Sequence, residues 1–152
     1  MRLILLMEPN PFLVGTSVLF VIPTTLAAYH RQWHLYAPFL FMSIVSSVYH
    51  ATKYRPLLYL DYPGCYWVLI TLGVETYKIG QFPFFMLFSG MCGFLFWGGY
   101  LLERFVHSPE FVEKTFSHML MHMIVVGSSI ATSYLASEHK VIVNENKLDW
   151  EL

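Results

Sequence analysis

Four ionisable side chains stand inside otherwise apolar stretches of this 152-residue chain: His50, Asp61, His118 and His122. An Asp at the centre of a membrane helix costs about 2.5–3.5 kcal/mol on insertion scales, and such groups usually face a bundle interior and act there. His118 and His122 are four residues apart, as are Ser46 and His50, so on helices each pair projects from one face. Two imidazoles at that spacing make a bidentate clamp for a metal ion, and His50 from a neighbouring helix supplies a third ligand. Three neutral imidazoles with one open position describe a catalytic zinc site, where bound water reaches a pKa of about 7. Asp61 can then accept the water's proton or orient it. Ser46 can hydrogen-bond Asp61, the water or a substrate oxygen.

Each element alone has a plainer explanation. A histidine near a helix end is usually interfacial, the expectation for His30, His34, His107 and His139. An HxxxH pair is a weak motif. The stretch His118-Met-Leu-Met-His122 lacks the Glu that zinc proteases carry after the first histidine, which excludes that class. Asp61 also lies near Lys53 and Arg55 and can serve as their ion-pair partner. The metal reading rests on the set of four and on where their helices place them.

Those helices follow from composition. The chain is 56% hydrophobic and 12% charged, about half the charge of a soluble domain, and residues 9–29 and 79–102 carry no charge at all. Five apolar segments, at about residues 10–29, 35–52, 57–74, 82–102 and 115–137, approach the roughly 20 residues that a membrane-crossing helix needs. A polar tail, 138–152, follows. Backbone left unpaired in lipid is intolerable, so the segments are expected to be helices of one all-α, multi-span transmembrane bundle. Soluble-enzyme folds are set aside. A net charge of −1 leaves no basic patch for nucleic acid.

Within the segments, Pro23 is expected to kink the first, and Asp61 and Pro63 to interrupt the third early. Glu75–Gln81 reads as a turn. Ser128, Thr132 and Ala136 form a small-residue ridge on the fifth helix, and Gly90, Gly93, Gly98 and Gly99 offer close-approach points on the fourth. Cys65 and Cys92 fall in apolar stretches, where neither a disulfide framework nor a metal knuckle is expected. The first segment is read as a retained span rather than a cleaved signal core. Basic residues divide five to four between the two sides, which sets no orientation. With five alternating crossings, however, the end of the second segment (His50) and the starts of the third (Asp61) and fifth (His118, His122) share one side. One site can then contain all of them.

The order Ser-x3-His, then Asp, then His-x3-His in the last span resembles the CREST superfamily of membrane proteins. That group contains alkaline ceramidases, progestin/adiponectin-type receptors, haemolysin III proteins, GPI-remodelling proteins and the myomaker group. Ser46-Ser47-Val48-Tyr49-His50-Ala51-Thr52-Lys53-Tyr54 followed by Leu60-Asp61 is most similar to the alkaline ceramidases, as is Gly93-Phe94-Leu95-Phe96-Trp97 to a segment of their sixth span. Leu60-Asp61-Tyr62-Pro63-Gly64 and His122-Met-Ile-Val-Val-Gly127 also resemble the receptor and haemolysin III branch. The resemblance runs in patches over about residues 43–136. It implies zinc held by His50, His118 and His122, with Ser46 and Asp61 completing the site, and hydrolysis of a lipid amide or ester. Two features depart from the family. Its members usually have seven spans against five here, and losing the fourth and fifth keeps the site on one side. The acidic calcium-binding segment of ceramidases has no counterpart before the first span, where only Glu8 stands.

The leading expectation is therefore a multi-pass, zinc-dependent hydrolase of a lipid amide or ester, with membrane lipid as surroundings and substrate. An endomembrane such as the ER or Golgi is expected over the plasma membrane. The alternative is a non-catalytic membrane protein of receptor-like, fusion or scaffold type with a structural metal. A b-type haem between His50 and His118 or His122 is a third alternative, which leaves Asp61 and Ser46 without a role.

Overall fold

The computed structural model describes residues 10–101 and 111–148. Glu8 and the rest of the leader, Arg104 and His107 in the last connection, and residues 149–152 lie outside these residues. The described chain is helical throughout its elements: α1 (Pro11–Val18), α2 (Val21–Tyr29), α3 (Trp33–Thr52), α4 (Arg55–Lys78), α5 (Phe82–Leu101) and α6 (Phe111–Leu148). Helices α1 and α2 together form the first hydropathy segment, so the five expected segments appear as five helical segments of an all-α transmembrane bundle. Three stretches, Pro11–Tyr29, Pro56–Lys78 and Phe116–Val143, are long and apolar enough to cross a membrane, and Phe82–Phe96 is a shorter apolar helix.

Local chemistry explains most boundaries. Asn10 caps α1, its side-chain oxygen accepting from the backbone N–H groups of Phe12 and Leu13 at 3.1 and 3.2 Å. Pro23 removes the N–H that would bond to the carbonyl of Leu19, and its ring crowds that carbonyl, so the helix breaks at Leu19–Phe20 rather than bending smoothly. Pro56 sits in the first turn of α4, where its missing N–H costs nothing. Neither Asp61 nor Pro63 interrupts α4, which runs unbroken for 24 residues, about 36 Å at 1.5 Å per residue. Glu75, expected in a turn, lies within that helix. Lys53 ends α3 in the left-handed region, φ 54°.

The helices close into a ring. Helix α3 packs on α1, α2 and α4; α4 on α5; α5 on α6; and α6 returns to α1 and α2. The inward face of α3, Leu35, Phe39, Met42, Ser46 and His50, recurs at three- and four-residue steps and is buried along its whole length. Phe20, Ala27, Val68, Leu72, Phe88 and Val126 complete the core around Leu35, Phe39 and Met42. Ser128, Thr132 and Ala136 are buried on α6, as their spacing suggests. Helix α6 continues through the expected polar tail to Leu148, and Ser137–Val143 are not buried. The tail is thus a helical extension beyond the packed part of the bundle.

Polar contacts pin the end remote from His50. His34 Nε2 lies 3.0 Å from Glu75 Oε2, and Lys78 Nζ 3.6 Å from the same oxygen. Gln32 Nε2 donates to the carbonyl of Ser133 at 3.0 Å, tying the α2–α3 turn to α6.

The close approach between helices is not at Gly90 or Gly93, while the surroundings of Gly98 and Gly99 lie outside what the structure describes. A Cβ on Gly90 or Gly93 would meet nothing within 4 Å, whereas one on Gly64 would lie 2.5 Å from Met42 Sδ and 2.9 Å from a Phe41 ring carbon. Gly64 therefore sets the α3–α4 distance. Replacing Gly64 by Val is expected to cost about 1–3 kcal/mol through overpacking, while Gly90→Ala leaves stability unchanged or raises it by up to about 1 kcal/mol. Thermal unfolding of the two variants in one detergent reads the difference.

Candidate metal centre

The site is built where three helix ends meet. Helix α1 lies against both α3 and α6. Its cap residue anchors the junction, since the backbone N–H of Asn10 donates to the carbonyl of His50 at 3.2 Å. His50 in the last turn of α3 and His118 and His122 on α6 converge there. One ligand nitrogen from each of the three rings lies within 4.8 Å of the other two. Ring centroids are 5.0 Å apart for His50–His118, 5.5 Å for His50–His122 and 4.7 Å for His118–His122. His50 is 1% exposed and His122 6%, with His118 half-buried between them and the surface.

The arrangement fits a small divalent cation. Nitrogens bound at about 2.0–2.1 Å around a tetrahedral ion stand roughly 3.3 Å apart, so modest side-chain closure completes the set. Imidazole donors suit zinc, copper, iron and nickel. Among the described residues the buried Nε2 atom of His50 has no hydrogen-bond partner. A buried donor or acceptor left in that state is costly, and coordination would satisfy it. Lys53 Nζ lies 3.4 Å from the other nitrogen, His50 Nδ1. An ammonium can only donate, so this contact has to open when Nε2 acts as a ligand and Nδ1 carries the hydrogen.

Around the rings runs a hydroxyl network. Thr16 Oγ1 is 3.0 Å and Ser17 Oγ 3.4 Å from His122 Nδ1. Ser17 Oγ is also within donating distance of Ser46 Oγ, at 3.1 Å. The Ser46 side chain in turn lies within hydrogen-bonding reach of Asp61. Asp61 is 7% exposed, and its Oδ1 has no hydrogen-bond partner among the described residues, which do not include the Arg55 side chain. Phe20 closes the apolar side with its ring edge-on to His122, centroids 6.3 Å apart.

All five residues singled out from the sequence are thus connected: three imidazoles directly, and Ser46 and Asp61 through Ser17. Asn10, Thr16 and Ser17 were not singled out. The available signal was two adjacent hydroxyls in an uncharged span, which is weak because Ser and Thr in such helices commonly bond their own backbone. Thr24, Thr71 and Thr76 do so here. His34, expected to be interfacial, is half-exposed but paired with Glu75 at the far end of the bundle.

No family model, no curated protein and no solved structure matches this chain.

Proposed function

We propose that the protein is a zinc-dependent integral-membrane hydrolase of a lipid amide or ester bond, and that it belongs to the CREST superfamily, which its Ser46–His50, Asp61 and His118–His122 pattern resembles. The observation that carries this reading is the His50–His118–His122 cluster with one ligand atom from each ring inside 4.8 Å, joined by hydroxyls to a buried carboxylate. Three protein ligands rather than four are the mark of a catalytic zinc site, because a structural site is closed by a fourth side chain.

In this reading His50, His118 and His122 hold the ion. Zinc, when bound, supplies a Lewis acid that brings the acidity of water close to neutrality. Asp61 Oδ1, buried and without a hydrogen-bond partner among the described residues, takes a proton from the water as its oxygen bonds to the acyl carbon, and returns it to the amine or alcohol as the acyl bond to that group breaks. Ser46 holds the carboxylate in orientation. The apolar walls exclude bulk water, which strengthens every electrostatic contact inside them. A shallow apolar groove of about 510 Å³ between α5 and α6, lined by Met86, Gly90, Met91, Phe94, Leu120 and Ile124, suits an acyl chain.

The second reading is a non-catalytic membrane protein with a structural metal. The near-complete burial of His50 and His122 favours it.

Metal analysis separates the outcomes. The purified protein is expected to carry about one zinc per chain and His122→Ala to lose it, as three-ligand sites tolerate no deletion. Absence of zinc from the wild type, or full retention in His122→Ala, refutes the metal centre.

Asp61→Asn is expected to keep its zinc and lose about 10²–10⁴-fold in turnover of fluorescent acyl-amide or acyl-ester lipids, the usual share of a general acid–base residue. Unchanged lipid turnover and cellular lipid profile with zinc still bound would establish the non-catalytic reading instead.

A further inference from the structure

The contacts of α1 carry one assignment further. Thr16 Oγ1 is 3.2 Å from the carbonyls of both Phe12 and Leu13, in addition to its 3.0 Å contact with His122 Nδ1. Ser17 Oγ is 2.8 Å from the carbonyl of Leu13 and 3.1 Å from Ser46 Oγ, in addition to 3.4 Å from the same ring nitrogen. A hydroxyl has one hydrogen to give and two lone pairs to receive. Backbone carbonyls can only accept, and Ser46 Oγ can also accept from Ser17, so the hydroxyl hydrogens of both residues are drawn away from His122. The lone pairs of both oxygens then face His122 Nδ1.

The ring has two ways to meet them. If Nδ1 is the bare nitrogen, one hydroxyl must abandon its carbonyl to donate, and the other sets a lone pair against a lone pair. If Nδ1 carries the hydrogen, it donates to Thr16, with Ser17 as a longer second acceptor, and every hydrogen on the three groups is used. The second arrangement leaves Nε2 of His122 bare. A metal ligand needs such a nitrogen, and histidine ligands usually donate their other N–H to a fixed acceptor in this way.

We propose that Thr16, supported by Ser17, is the positioning residue that holds His122 in the Nδ1–H tautomer and so presents Nε2 to the metal. This rests on the metal-centre reading for its purpose, but not for the tautomer itself. Thr16 is set in place by the Asn10 cap and by the hydrogen bond from Asn10 to His50. The same junction therefore positions a ligand from α3 and the orienting hydroxyl of a ligand on α6.

Two readouts on the full chain in detergent test this. Nitrogen-15 NMR of ring-labelled histidine, with His122→Gln used to assign the signal, reads the tautomer without any metal. The expected result is a protonated Nδ1 in the wild type and loss of that preference in Thr16→Val. A protonated Nε2 in the wild type overturns the proposal, whether or not metal binds. Cobalt(II) titration followed by visible absorption reads the consequence. Thr16→Val is expected to weaken binding about 10–100-fold, the usual cost of losing a ligand's outer partner, and Thr16→Ser to recover most of it. Equal affinity in the wild type and Thr16→Val overturns the proposal. If the wild type binds no cobalt, the metal centre fails and the NMR result alone decides the tautomer. Thr25→Val, which removes an exposed hydroxyl bonded only to Val21 of its own helix, controls for the general effect of the substitution. Should Thr16→Val fail to fold, the wild-type NMR signal and Thr16→Ser still discriminate.

Discussion

Polar groups sealed inside an apolar bundle must find partners within it, because neither lipid nor core offers any. This constraint shapes both ends of the molecule. At one end His50, His118, His122, Asp61, Ser46, Ser17 and Thr16 form a connected set. At the other, Glu75 meets His34 and Lys78, and Gln32 bonds the carbonyl of Ser133. Between them the core is carried by Phe39, Met42, Leu72 and their neighbours. The two polar ends differ in completeness. Glu75 meets both His34 and Lys78, whereas among the described residues His50 Nε2 and Asp61 Oδ1 have no hydrogen-bond partner at the other end. That imbalance is what the proposed metal centre would resolve.

Helix α3 is the element through which both ends communicate. It starts beside the Gln32 turn and ends at His50, and it touches α1, α2 and α4. Ser43, Ser46 and His50 are tolerable there because they turn inward, whereas His34 lies half-exposed at the far end. The apolar faces of Pro11–Tyr29, Pro56–Lys78 and Phe116–Val143 supply the surface that a membrane needs. The broken first span serves the same end. Pro23 ends α1 soon after Ser17, so this short helix is oriented by its cap and by α3 and α6 rather than by continuity with α2.

Much of the site was legible because ionisable residues in apolar spans are rare and their i, i+4 spacing is simple. Counting five alternating segments put Ser46, His50, Asp61, His118 and His122 at one end, and the three histidines do lie together. Glu75 was misplaced in a turn because charged residues near a segment end resemble a loop, yet burial against His34 lets the helix continue to Lys78. Gly90 and Gly93 of α5 looked like contact points by composition alone. Gly64, beside Pro63 in a stretch that reads as broken, is where α3 and α4 actually press together.

The sequence by itself determined that the protein is an all-α bundle of apolar helices and which side chains are costly enough inside it to require a purpose. Hydropathy and four-residue spacing are local properties, readable along the chain. Only the tertiary structure decided that three imidazoles share one point, that Thr16 and Ser17 face His122 from α1, and that Asn10 joins α1 to α3. Those facts depend on how each helix is rotated about its axis and how closely its neighbours approach. Side-chain volumes at contacts such as Gly64 against Met42 fix both, and no single segment encodes them.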